Sequence, residues 1–126
     1  MALYDYFETT TGKGILSTAD KDGRVNAAIY SRPHFLDGGR LAFIMRDRLS
    51  HSNLQSNPHA VYLFIEDGPG YKGKRVYLTM VGEEKNAGQI ASLQRRKSET
   101  AVAEDRFLVF FEVDRERPLV GDDHKH

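Results

Sequence analysis

Hydrophobic positions recur mostly at every second residue, in short runs separated by glycine, proline and aspartate, a pattern that predicts strands more than helices. The start is an exception: Leu3, Tyr6 and Phe7 fall at helical spacing, which predicts a short amphipathic helix lying across one end of the fold. Residues 14–19 then read as a strand, Asp20-Lys21-Asp22-Gly23 as a turn whose Asp-Gly pair accepts positive φ, and residues 24–35 as the returning strand. Asp37-Gly38-Gly39 closes a second turn before a strand over 41–45, so the first three strands are expected to form a meander. Alternation stops over 46–58. There Ser50, three residues before Asn53, is the expected cap of a short helix that Asn57-Pro58 ends.

The nearly unbroken apolar run 60–65 predicts a strand buried on both faces, and the loop 66–74, with three glycines and a proline, is expected to be irregular. Strands over 76–81 and 107–113 complete the set. Residues 86–97 read as a helix capped by Asn86, residues 98–105 as surface loop, and residues 115–126 as a charged tail. Six short strands joined mostly by turns, with a few short helices, predict a mainly β protein, a six-stranded antiparallel barrel whose closure removes exposed edges.

Composition bounds this picture without changing it. A chain of 126 residues with 40% hydrophobic residues can bury one core, so a single domain spanning 1–126 is expected. Eighteen basic residues balance eighteen acidic ones, which leaves no global field to gather nucleic acid or an anionic membrane surface; any anion must be held locally. The absence of cysteine excludes disulfides, thiolate metal sites and a cysteine nucleophile. The opening MALYDYFETT lacks the basic and apolar regions of a signal peptide, and no apolar stretch approaches the roughly 20 residues that cross a bilayer, so a cytoplasmic location is expected.

Three segments carry candidate chemistry. Arg46, Arg48, Ser50 and His51 precede a helix N-terminus, whose free N–H groups and dipole favour an anion, and the fit is to a phosphate; the plainer reading is a solvated surface connection. On the second strand Asn26, Tyr30, Ser31 and Arg32 stand among small Ala27 and Ala28, which either leave room for a flat ligand against the backbone or simply fit a tight barrel interior. Tyr71, Lys72, Lys74 and Arg75 form a second basic cluster, able to close over a ligand or a neighbouring subunit, or else an ordinary charged loop. His34, His51 and His59 lack metal-ligand spacing, and no G-x-S-x-G, Walker or G-x-G-x-x-G pattern occurs.

Taken in order, GILSTADKDGRVNAAIY, RDRLSHSNLQSNPHAVYLFIEDG and GYKGKRVYLTMVGEE resemble the FMN-binding split-barrel family related to pyridoxamine 5′-phosphate oxidase, over about residues 12–84. The most specific part, residues 53–61, is similar to the family's Asn-Leu-x-x-Asn-Pro segment and begins at Asn53. The resemblance implies a homodimer holding two FMN at its interface. It places the strand from Asn26 to Tyr30, including Ala27 and Ala28, along the isoalloxazine, Met45 and Arg46 beside the ribityl chain, Arg48 to His51 around the phosphate, and Tyr71 to Arg75 across the dimer. Relatives carry a Ser-Arg-Lys run where this chain reads Arg48-Leu49-Ser50, so charge has moved and the lysine is missing. Three functions fit: an FMN-dependent oxidoreductase working between a reduced donor and a small acceptor, a non-enzymatic FMN carrier or electron-transfer module, and a split barrel that binds haem or a protein partner instead. Tyr30 and His51 are the candidate acid–base groups.

Overall fold

A computed structural model of the chain describes residues 2–36, 39–85 and 106–121. Helix α1 (Ala2–Thr9) buries Leu3 and Phe7 and leaves Tyr4 and Asp5 exposed, as its spacing requires. Strands β1 (Gly12–Ala19) and β2 (Val25–Ile29) form the first hairpin. Gly23, at φ 87°, sits in its turn, and Asp20 Oδ1 accepts from the backbone N–H groups of Asp22 and Arg24 at 2.9 Å each. The latter bond, with the Arg24 guanidinium behind it, holds the Asp20 carboxyl below its ordinary pKa.

The expected second strand does not run on to Phe35. It ends at Ile29, and His34–Phe35 forms a separate strand, β3, paired not with β2 but with β4 (Leu41–Arg46). Pro33 between them has no N–H to donate to a ladder and biases Arg32 toward extended geometry, so the chain leaves one sheet edge there and rejoins at the other. The crossing is anchored by Arg32, whose Nη1 donates to the carbonyls of Phe7 and Thr10 at 2.8 and 3.0 Å. The count among the described residues is therefore seven strands rather than six, and the first three do not form a meander. Helix α2 (Leu49–Ser56), β5 (His59–Glu66), β6 (Gly73–Glu84) and β7 (Arg106–Pro118) complete one antiparallel sheet of order β2-β1-β5-β6-β7-β4-β3. β2 and β3 are its edges, so the barrel is split rather than closed by pairing.

Leu16, Phe43, Met45, Tyr62, Phe64, Leu78, Val109 and Phe111 fill the interior, where aromatic rings meet mostly edge to face. A smaller cluster, Ala42, Leu108 and Phe110, lies on the opposite side of β4 and β7. β5 departs from the expectation of burial on both faces: Ala60, Tyr62 and Phe64 are buried, whereas Val61, Leu63 and Ile65 on the outer face are only half-buried. β7 continues through residues 115–118 of the expected tail. The helix expected over 86–97, the loop over 98–105 and the Asp37-Gly38 part of the second turn lie outside the described residues. Among the described residues no helix is long and apolar enough to cross a membrane.

Packing inside the barrel leaves no room at Gly14, where an added Cβ would collide with the ring and hydroxyl of the fully buried Tyr62; that hydroxyl also donates to the carbonyl of Tyr30 at 3.0 Å. Gly14→Ala is expected to cost about 1–3 kcal/mol, read as a lowered urea midpoint. Gly82→Ala is the control, because its Cβ would meet only a Phe110 ring carbon at 4.0 Å. It should stay within about 0.5 kcal/mol of the parent.

Candidate functional site

Helix α2 lies over one end of the barrel and has little apolar surface of its own; only Leu54 enters the core, and Ser50, His51 and Asn53 are buried beside it. Such side chains must find partners when they leave water. Asn53 Nδ2 donates to Thr18 Oγ1 on β1 at 3.0 Å, and Asn26 Nδ2 on β2 donates to Ser50 Oγ at 3.2 Å. Tyr30 is hydrogen-bonded to Ser50 as well, a contact that only partly offsets the burial that raises its phenol pKa. His51 stacks on Phe107 with ring centroids 4.0 Å apart, its Nε2 2.8 Å from Glu83 and its Nδ1 3.3 Å from Asp47. Gln55 Nε2 donates to the same Glu83 oxygen at 3.2 Å. The helix is thereby tied to β1, β2 and β6 by polar contacts.

At its N-terminus Arg48 occupies the cap position and makes no side-chain cap bond, and no acidic residue stands in the first turn. Ser50, expected as the cap, lies two positions beyond Arg48, inside the helix, and turns inward. The first-turn N–H groups are consequently without a side-chain acceptor, and Arg46 and Arg48 are exposed beside them. Register adds a residue that sequence reading missed: Arg106, the first residue of β7, is directly opposite Arg46 of β4. Arg106 is 9% exposed, and its Nε is the one buried side-chain nitrogen or oxygen without a hydrogen-bond partner among the described residues. A buried donor of this kind is costly unless something accepts from it. Arg46, Arg48, Arg106 and the open helix end form a set suited to an anion bearing several acceptor oxygens, such as a phosphate. Asp47, the carboxylate in this stretch, is turned onto His51.

The remaining candidates separate. Ala28 faces inward opposite Leu16, and Ala27 is exposed on the outer face. Met45 is fully buried in the core, so only its backbone can meet a ligand. Tyr71 is 84% exposed, and Lys74 lies at the α1 end of the barrel, away from α2, paired with Glu116 at 3.1 Å and standing over the Tyr6 ring. Within one chain these two do not join the arginines. Arg106 escaped the sequence reading because it follows a polar stretch, and only the β4–β7 pairing brings it to Arg46.

No family profile matches the sequence, and no curated protein matches it. Solved structures do match. An FMN-binding protein from Syntrophomonas wolfei subsp. wolfei superposes with a TM-score of 0.68 at 19% identity, over 92% of this chain and 82% of that one. HupZ of Group A Streptococcus gives 0.71 at 13% identity, over 99% and 97%. A structure from Lactobacillus delbrueckii described as a "putative pyridoxamine 5′-phosphate oxidase" gives 0.67 at 15% identity, over 91% and 89%. The fold is a pyridoxamine 5′-phosphate oxidase-like split barrel. In this split barrel the sheet edges, β2 and β3, are the strands that Pro33 separates.

Burial sets a pH response. Burial raises the Tyr30 phenol above the ordinary value of 10.0, and burial together with Glu66, which accepts from its hydroxyl at 2.7 Å, raises Tyr6 further. Between the unfolded and folded pKa values the unfolded chain binds fewer protons than the native one, so stability is full below about pH 10 and falls as pH rises beyond it. Tyr30→Phe should make that fall shallower, measured as urea midpoints compared between about pH 8 and about pH 11.

Proposed function

We propose that this split barrel is an FMN-binding flavoprotein acting as a cytoplasmic homodimer, with Arg46, Arg48, Arg106 and the N-terminus of α2 holding the phosphate. The observation that carries the reading is the unpartnered, buried Nε of Arg106, set opposite Arg46 beside an uncapped helix end. A phosphate supplies the acceptors that this nitrogen lacks. The FMN-binding protein among the structural neighbours adds support from the same fold. Asn26 and Ala28 line the inward face of β2 and Tyr30 follows its end; the small Ala28 leaves space for a planar ring, and FMN, when bound, supplies the redox chemistry. The protein's part is to grip and orient the cofactor.

The dimer reading rests on the outer face of β2, β1 and β5. Ile29 is 72% exposed there, and half-buried Ile15, Leu63 and Ile65 adjoin it. A contiguous apolar patch of this kind on an edge strand is suited to a second copy, which would also bring Tyr71 and Lys74 from another chain.

Transfer of electrons or hydride from a reduced donor to a small acceptor is the activity such a cofactor serves. One observation favours a carrier or electron-transfer module over an enzyme that uses side-chain acid–base catalysis: Tyr30 and His51, the candidate groups, are both engaged in contacts within the chain.

The arginines provide the test. Arg46→Ala and Arg106→Met should each weaken FMN about tenfold to a hundredfold, the effect of losing one charge-assisted contact, while leaving riboflavin, which has no phosphate, nearly unaffected. Fluorescence titration of both flavins measures this. Arg106→Met should also keep or raise the melting temperature of the flavin-free protein, because it removes an unsatisfied buried donor. Equal losses for the two flavins would assign the arginines to folding instead.

A further inference from the structure

The outer face carries a second constellation, distinct from the arginine set. Three adjacent strands contribute one residue each: His59 from β5, Thr79 from β6 and Asp114 from β7. Thr79 Oγ1 donates to Asp114 Oδ2 at 2.6 Å, and the same oxygen lies 3.3 Å from His59 Nδ1. A hydroxyl has a single proton. With that proton committed to the carboxylate, Thr79 can only accept from His59, which in the neutral imidazole puts the hydrogen on Nδ1 and leaves Nε2 as an acceptor. Nε2 has no partner among the described residues. The backbone beneath is also fixed, since the His59 N–H donates to Asn57 Oδ1 at 3.1 Å.

His59 and Asp114 line a groove of about 400 Å³ whose other walls include Ala19, Val25, Val61 and Tyr77. That volume lies in the ordinary range for small-ligand sites, roughly 300–1,000 Å³, and an apolar surround with a few oriented polar groups is their usual make-up. An oriented acceptor at an apolar wall calls for a ligand with a hydrogen-bond donor on a flat, apolar body.

We infer that this groove binds a phenol or similar hydroxyl-bearing aromatic, its O–H donating to His59 Nε2 and its ring lying against Val25, Val61 and Tyr77. Thr79 and Asp114 act as positioning residues that hold the imidazole in the accepting tautomer. The site does not depend on the flavin reading, because it shares no residue with the arginine set.

The probe is 4-fluorophenol, followed by fluorine NMR with the full chain, with fluorobenzene as the ligand lacking the donor. The wild-type protein is expected to saturate with 4-fluorophenol and to prefer it over fluorobenzene by about tenfold, the worth of one neutral hydrogen bond. His59→Phe, which keeps a ring but not the acceptor, should bind both alike. Thr79→Val, at an outer-face position with little to disturb the core, should lose at least half of the preference. The experiment is repeated with saturating FMN, which should leave the phenol titration unchanged. Absence of a phenol preference in the wild type, an undiminished preference in Thr79→Val, or displacement of 4-fluorophenol by FMN would each overturn the inference. Displacement would overturn it while leaving the flavin reading standing, and failure of FMN to bind at all would leave the phenol result to be read alone.

Discussion

A polar seam between α2 and the barrel governs the candidate site. A helix of eight residues with one core leucine cannot be positioned by apolar burial alone. Its placement comes from Asn53 against Thr18, Ser50 against Asn26, and His51 held between Phe107, Glu83 and Asp47. Each bond contributes little net stability, but each group would be costly if buried without its partner, so the set permits one seating and penalises the others. That seating places the uncapped end of the helix where β4 delivers Arg46 and β7 delivers Arg106. The candidate anion site is a consequence of where the helix is held.

The same barrel separates its candidate sites by end and by face. Its interior is closed off by aromatic packing around Tyr62, which makes Gly14 an obligatory glycine and Met45 a core residue. Polar residues at the α1 end, among them Lys74, Glu116, Tyr6 and Glu66, satisfy one another beneath the first helix. The arginines are left at the other end, and the outer face of β2, β1 and β5 keeps the apolar surface that a partner or ligand can use.

Much of the fold was legible in the sequence because local signals agree with the tertiary outcome: the helical spacing of Leu3 and Phe7, the Asp20–Gly23 turn, and the stop at Asn57-Pro58 all appear where the pattern places them. The errors arise where distant structure decides. Pro33 was a visible breaker inside an otherwise strand-like run, yet only the sheet order reveals that the chain changes edges there. Ser50 has the chemistry of a cap, but Asn26 of β2 and Tyr30 just beyond that strand claim its hydroxyl first. The apolar run in β5 carries no mark that distinguishes a buried face from a half-exposed one. Of the candidate site, the segment around Arg46 to Asn53 was readable from residue types, whereas Arg106 depends on a pairing between positions far apart in the chain. The His59–Thr79–Asp114 chain needs three strands in register and could not be seen before they were.

The central claim is that this split barrel holds FMN, and it is tested most directly by reconstitution: the flavin-free protein is mixed with excess FMN, passed through gel filtration, and its absorption spectrum is recorded. The account predicts flavin bands that travel with the protein at about one FMN per chain, in a peak of dimer size. Protein that elutes folded and colourless, with all the FMN in the small-molecule fraction, would contradict it.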